Sequence, residues 1–532
     1  MHRGRSMRNR SLTSLLLAGL VIAACGTGST SSTTSAGPKH GDKLTIAVGI
    51  DPDTLDPAAQ TTTTASQIVD MMAEPLVTID EKGVVKPLLA TKWDQSADGL
   101  NWTFTLRSGV KFSDGTPFNA QAVKFSIDRL INPKTQATQP GVLGGKSGIQ
   151  SVDIVDDANV KFTLGSRFAP FAAAMTQTNA AIMSPASTNV APNTPTHVVR
   201  PVGTGPYKFK DRQAGDHITL EANKDYWGQK PNYDTQVLKV VPDATSRESL
   251  IRAGQADVIA LPPGNDLPAL QHDSSLNVVM GPSDRTIQIV INTVDPKNTL
   301  LQKPGVRQAL NYAVDKDAII KTVLFGAAVP LDAPMSKALF GYCSVGTYKF
   351  DQSKAKQMLQ AAGASGMTVK LLSPTGRYLQ DSKVAEAVAG YLTQAGLKVE
   401  GPQTSDWPTY LGTVNVAPAR ASTNLHLLGW APAYMDASQQ FQQFLPSQIP
   451  PAGLNTSYYG NPQVTELVTQ GNTASDPGQR KKAYCDAQKI VWNDAPWIFL
   501  YNQRYPFVTT NKVKNVTGLP NEKFVTSWTS PA

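Results

Sequence analysis

Residues 368–399 read TVKLLSPTGRYLQDSKVAEAVAGYLTQAGLKV. Thr368 to Leu372 reads as a strand, Asp381 to Ala395 as a helix, and Leu397 to Val399 as a second strand. Asp381 suits an N-cap, because its carboxylate can accept from the first free N–H groups. Gly396 suits the left-handed position after the last turn. Strand, helix and strand make one βαβ unit, which implies a parallel pair and an α/β fold. In open α/β sheets ligands bind at the carboxyl ends of strands, where helix N-termini and free backbone groups converge. The loop 373–380 is therefore a candidate ligand loop. A second lies downstream, where the apolar strand Leu425 to Gly429 runs through Trp430 to Asp436 into a helix containing Phe441 and Phe444.

Upstream of the unit, Val306, Ala309, Leu310, Ala313 and Val314 form a helical stripe, and Asp315 is placed to begin another helix at Ala318. Far upstream, the β-prone run Thr45 to Gly49 feeds a turn-rich loop at 50–57, a third ligand loop. Trp102, Phe104 and Leu106 alternate with polar neighbours, and Val160, Phe162 and Leu164 repeat the pattern, the period of half-buried strands. Between them Asn119 can cap a helix through Leu130. That stretch reads as a mixed insert. A ligand touching all three loops would sit between an early and a late lobe.

The chain has 532 residues, 41% hydrophobic and 17% charged, enough for two or three packed domains. Its formal charge of +8 includes Arg3, Arg5, Arg8 and Arg10. These precede an apolar stretch, Leu12 to Ala24, too short to span a bilayer, so 1–24 reads as a signal peptide. Val21-Ile22-Ala23-Ala24-Cys25 resembles a bacterial lipobox, which makes Cys25 the expected lipidated first residue; an ordinary signal peptide is the alternative. Residues 25–40 are rich in Gly, Ser, Thr and Ala and read as a flexible tether. No dense basic face is present, which argues against nucleic acid as a partner. Cys343 and Cys485 are the remaining cysteines. Outside the cell membrane they most simply pair with each other, with two buried thiols as the alternative.

Several motifs carry a resemblance. Asp51-Pro52-Asp53-Thr54-Leu55-Asp56-Pro57, Ala73-Glu74-Pro75-Leu76, Lys111-Phe112-Ser113-Asp114-Gly115-Thr116-Pro117-Phe118, Gly203-Thr204-Gly205-Pro206-Tyr207, Asn223-Lys224-Asp225-Tyr226-Trp227, Val306-Arg307-Gln308-Ala309-Leu310 and Ala495-Pro496-Trp497-Ile498 resemble, in order and spacing, the family 5 solute-binding proteins of bacterial ABC importers. The resemblance spans about residues 41 to 525. It implies a two-lobed periplasmic-binding-protein type II (cluster C) fold with an extra α+β subdomain in lobe I. Carried over, lobe I is 41–85, 200–293 and 503–532, the insert 86–199 and lobe II 294–502. It further implies a monomeric lipid-anchored receptor on the outer face of the cell membrane, with no cofactor or metal. Such a receptor would hand a small, peptide-like solute to an ABC permease powered by a separate ATPase. A sugar or metal chelate as solute, or a surface adhesion or signalling role, are the alternatives.

The same resemblance and the loop argument together nominate ligand residues. Gly429 and Trp430 match a Gly-Trp pair that lines the family's pocket, the indole offering a flat contact and one N–H donor. In peptide-binding relatives an acid follows that pair and holds the peptide ammonium; here Ala433 occupies the place, with Asp436 farther on. Arg377 offers a planar fork suited to a carboxylate. Trp407, Tyr410, Tyr207, Thr54 and Leu55 are wall candidates, with core packing as the alternative for each. Catalysis is disfavoured: Ser353-Lys354-Ala355-Lys356 matches a Ser-x-x-Lys pair, but the accompanying Lys-Thr-Gly is absent.

Overall fold

The computed structural model describes residues 40–52, 54–60, 62–132, 143–144, 146–187, 198 and 200–532. The expected signal peptide, Cys25 and nearly all of the tether lie outside the described residues.

Three sheets organise the chain. The first has seven strands in the order Leu276–Gly281, Tyr505–Thr510, Val258–Ala260, Gly41–Val48, Tyr233–Val240, His217–Ala222 and Tyr207–Gln213. Gly41–Val48 lies parallel to both its neighbours. The second has six: Ala328–Pro330, Trp497–Gln503, Thr286–Ile291, Leu425–Trp430, Thr368–Pro374 and Lys398–Ser405. The βαβ unit supplies its parallel part, because Thr368–Pro374 runs parallel to Lys398–Ser405 and to Leu425–Trp430. The third sheet is antiparallel, Ala90–Gln95, Asn101–Leu106, Asn159–Leu164 and Ile149–Asp156, and falls inside the expected insert. Trp102, Phe104, Phe162 and Phe171 pack in its core against the helix Ala120–Ile131, which Asn119 caps by accepting from Ala122 N–H.

The chain passes between the first two sheets twice, through 282–285 and through Arg504. This differs from the boundary expected at 293/294. Thr286–Ile291 pairs on both sides with strands of the second lobe, and Ile287, Ile289 and Ile291 enter that lobe's core. An isoleucine set at period two has to face a core, and the core available to it is that of lobe II.

The motif residues mostly hold the fold. Glu74 is buried and accepts from Tyr226 Oη (2.6 Å), Thr204 Oγ1 (2.8 Å) and Trp227 Nε1 (2.9 Å), which ties three separated motifs together. Gly203 permits that approach, since a Cβ there would lie 2.2 Å from the Met72 carbonyl oxygen. Arg307 is buried and donates to the carbonyls of Leu301, Gln302, Asp494 and Ala495. Cys343 is joined to Cys485 by a disulfide, Cα–Cα 5.6 Å, both partners within lobe II.

Candidate functional site

The edge of the second sheet that faces the crossing is built from one rung. Val329, Asn502, Thr286 and Trp430 stand opposite one another across four neighbouring strands. Directly paired antiparallel residues project to the same face, so these side chains form a row. A cavity of about 270 Å³ lies over the Val329 and Asn502 end of it. The first lobe contributes Glu81 and Lys82 to its wall and the crossing contributes Pro282 and Ser283. Its size sits at the small end of the range of about 300–1,000 Å³ usual for ligand pockets.

Trp430 is half-buried, and its Nε1 is enclosed with no hydrogen-bond partner among the described residues. Thr286 Oγ1 and both amide atoms of Gln288, two residues farther along the strand, are in the same condition. Buried donors and acceptors are nearly always paired, so a cluster of bare ones at an inter-lobe edge is where a polar solute gains most. Gly429 faces the other side of the sheet. A Cβ there would meet Ile287 Cδ1 and Tyr378 Cε1, each at 2.6 Å, and its carbonyl accepts from Tyr378 Oη at 3.1 Å. Its role is to let Tyr378 close on the strand.

Tyr378 belongs to the loop that carries Arg377. The loop is shaped by Asp381, whose carboxylate accepts from the N–H groups of Gly376, Arg377, Tyr378 and Ser382. The expected N-cap role of Asp381 is thereby displaced: Gln380, at φ +53, occupies the cap, and Asp381 opens the helix Asp381–Gln394 while folding the preceding loop back on itself. The Arg377 guanidinium stacks over Trp407 at 5.0 Å and Tyr378 at 5.2 Å, and no ion pair to it is present among the described residues. It is open to solvent yet ringed by protein. Burial and the nearby Arg285 guanidinium hold its pKa below the ordinary arginine value. A cation held in that state favours an anion.

The remaining nominated residues are placed otherwise. Tyr410 is fully buried, stacked on Trp407 (5.4 Å), and donates its hydroxyl to the Leu427 carbonyl. Tyr207 is fully buried and donates to the Tyr233 carbonyl. Leu55 sits in the lobe I core, and Thr54 is buried with its Oγ1 accepting from Asp56 N–H. Each has its polar atom engaged or its surface covered, so packing is the role the geometry gives it. Asp436 is buried in an ion pair with Arg480 at 2.6 Å and caps the helix Ala437–Phe441 through Ser438 N–H. Its charge is already matched. The three loops are not brought together as expected: 50–57 is anchored within the first lobe, by Arg212 on Asp51 and Arg129 on Asp56.

Sequence reasoning passed over the crossing itself. Arg285 and Glu522 are buried and paired there, with Nη2–Oε2 at 2.5 Å and Nε–Oε1 at 2.9 Å, and Ser283 Oγ adds a bond to Oε1 at 2.8 Å. Burial pushes the Glu522 pKa up, but Arg285 outweighs it and the net shift is downward. The available signal was the polar run Ser283-Asp284-Arg285-Thr286 set against the apolar strand behind it, and Gln288 inside that strand.

Comparison with known proteins places this geometry. Residues 84–450 match the family described as bacterial extracellular solute-binding proteins, family 5 Middle. A glutathione-binding protein of Pectobacterium atrosepticum is 30% identical over 483 residues, covering 90% of this chain and 92% of the relative. Among solved structures, the periplasmic binding protein DppA from Helicobacter pylori in complex with the peptide STSA is 26% identical, with TM-score 0.77, 93% of this chain and 98% of that one covered. The substrate-binding protein CtaP from Listeria monocytogenes shares the fold at TM-score 0.83 and 22% identity, with 93% and 100% covered.

Proposed function

The chain belongs to the bacterial extracellular solute-binding proteins of family 5, components of ABC importers, and from that premise we propose that its solute is a short peptide-like molecule bearing a carboxylate. The observation that carries this reading is Arg377, a cation without an anionic partner among the described residues. It is stacked between two aromatic rings on the lobe edge that also presents Trp430. A guanidinium held flat by aromatic faces keeps its fork free for bidentate recognition of a planar anion. Relatives named for glutathione and for a bound peptide support the same solute class. The small cavity fits a short ligand rather than a long one. The solute then passes to a membrane permease served by an ATPase, while Cys25 carries lipid and 25–40 acts as the tether.

The test is calorimetric titration with glutathione and trialanine, each as the free acid and as the C-terminal amide. Wild-type protein is expected to bind an acid, and Arg377→Ala to weaken that binding roughly tenfold to a hundredfold while changing amide binding little. Equal loss for acid and amide refutes the carboxylate role. Failure of the wild type to bind any member refutes the peptide-like solute.

A further inference from the structure

Asp284, in the crossing segment, is the group there that the reading above leaves unused. It is 1% exposed, and neither carboxylate oxygen has a hydrogen-bond partner among the described residues. No other buried carboxylate among those residues is bare on both oxygens.

The direction of the side chain follows from its neighbours. Ser283 and Arg285 both reach Glu522, and Arg285 lies over the Tyr378 ring at 5.8 Å, on the side where Ile287 and Ile289 enter their core. Asp284, between them, projects to the other side, the one shared with Thr286 and Gln288. That is the face of the Val329–Asn502–Thr286–Trp430 rung. Asp284, Thr286, Gln288 and Trp430 therefore offer a carboxylate, a hydroxyl, an amide and an indole N–H, all buried and all bare.

An enclosed carboxylate without a partner is strongly disfavoured in its charged form, and a protonated one still leaves a donor and acceptors unmet. Burial and the nearby Glu522 push the Asp284 pKa well above the ordinary carboxylate value, while Arg285 and Lys523 pull it the other way. Arg285 is committed to Glu522, and Lys523 donates to Asp70 and to Thr178. The missing partner is a cation from outside the chain. A metal ion would need further ligands, and no cluster of three His, Cys, Asp or Glu suited to one is present among the described residues.

We propose that Asp284 anchors a protonated primary amine of the solute, flanked by Thr286 and Trp430. The proposal rests on the peptide-like reading above and adds to it that the solute is zwitterionic, its ammonium at the crossing and its carboxylate toward Arg377.

The experiment compares wild type with Asp284→Asn, a near-isosteric change, using glutathione and trialanine with free and with acetylated amino groups. In the wild type, acetylation should weaken binding roughly a hundredfold, and Asp284→Asn should lose a similar factor for the free amine with little further loss on acetylation. Calorimetry in buffers of different ionisation enthalpy should show proton release with the free amine on wild type and none on the variant. A variant that binds the free amine as tightly as wild type overturns the proposal, as does equal loss on acetylation in both proteins. Either result leaves the Arg377 test standing, since that test reads acid against amide. Thermal unfolding of Asp284→Asn at or above the wild-type midpoint shows that a measured loss is not misfolding.

Discussion

Replacing Trp430 by Phe should move stability and affinity in different ways, and the structure sets both sizes. The indole is half-buried, and the atom deleted is an enclosed N–H that has no partner among the described residues. An unmet buried donor costs about 1–3 kcal/mol, so its removal is a gain. Against it stands the lost contact of the five-membered ring, on the order of 1 kcal/mol for a side chain only partly enclosed. The net change in unfolding free energy should lie within about 1 kcal/mol of zero, read by urea denaturation followed through tyrosine and the remaining tryptophans. Affinity should fall. A hydrogen bond to a neutral acceptor is worth about 0.5–1.5 kcal/mol and one to a charged acceptor about 1.5–3, which translates into roughly threefold to a hundredfold in Kd. Titration calorimetry with whichever of glutathione or trialanine the wild type binds reads this directly. If Phe costs more than about 2 kcal/mol of stability while Kd is unchanged, Trp430 is a packing residue and the solute edge has been placed wrongly.

Two further outcomes follow from groups away from the solute. His426 is buried, shares one hydrogen bond with Thr456 Oγ1 at 2.9 Å, and burial pushes its pKa down from 6.5 to about 3. The unfolded chain therefore takes up a proton below pH 6.5 that the folded chain refuses, and stability should fall with pH over that window by up to about 1.4 kcal/mol per unit. His426→Gln should flatten the slope between pH 6.5 and 4.5 in denaturation experiments; identical slopes would show that other groups govern it. For the anchor, Cys25→Ser should shift the protein from the membrane fraction to the soluble one, and unchanged partitioning would remove lipid as the tether.

Much of lobe II was legible because its signals are local. The strand at 368, the helix at 381 and Gly396 at φ +98 depend on short-range pattern and backbone freedom, and all three appear where the spacing puts them. Asn119 and Asp315 likewise cap the helices they precede. The wall residues were harder to read because an aromatic's burial is decided by distant chain. Tyr207 and Tyr410 look like pocket residues in sequence, yet each hydroxyl meets a backbone carbonyl 17 or 26 residues away. Asp436 reads as a free acid until Arg480, 44 residues on, is folded against it. The crossing was hidden for a related reason. Ser283, Arg285 and Glu522 converge over more than 230 residues of separation, and no local pattern encodes that meeting.

The same long-range contacts separate stability from lobe movement. The disulfide closes 142 residues, for which chain-entropy estimates give about 5 kcal/mol at most, but both its ends lie in lobe II and it constrains nothing at the crossing. At the crossing, Asn502 Nδ2 donates to the carbonyls of Ser283 (2.9 Å) and Arg285 (2.7 Å), and Glu522 holds the Arg285 side chain. These bonds fix one face of the 282–285 segment. The other face carries Asp284, Thr286 and Trp430 with no bond of their own among the described residues. A solute that satisfies that face also completes the hydrogen bonding of the segment about which the lobes would turn. Binding and closure then draw on the same atoms, and differential affinity for the closed arrangement is what a ligand needs in order to shift a hinge.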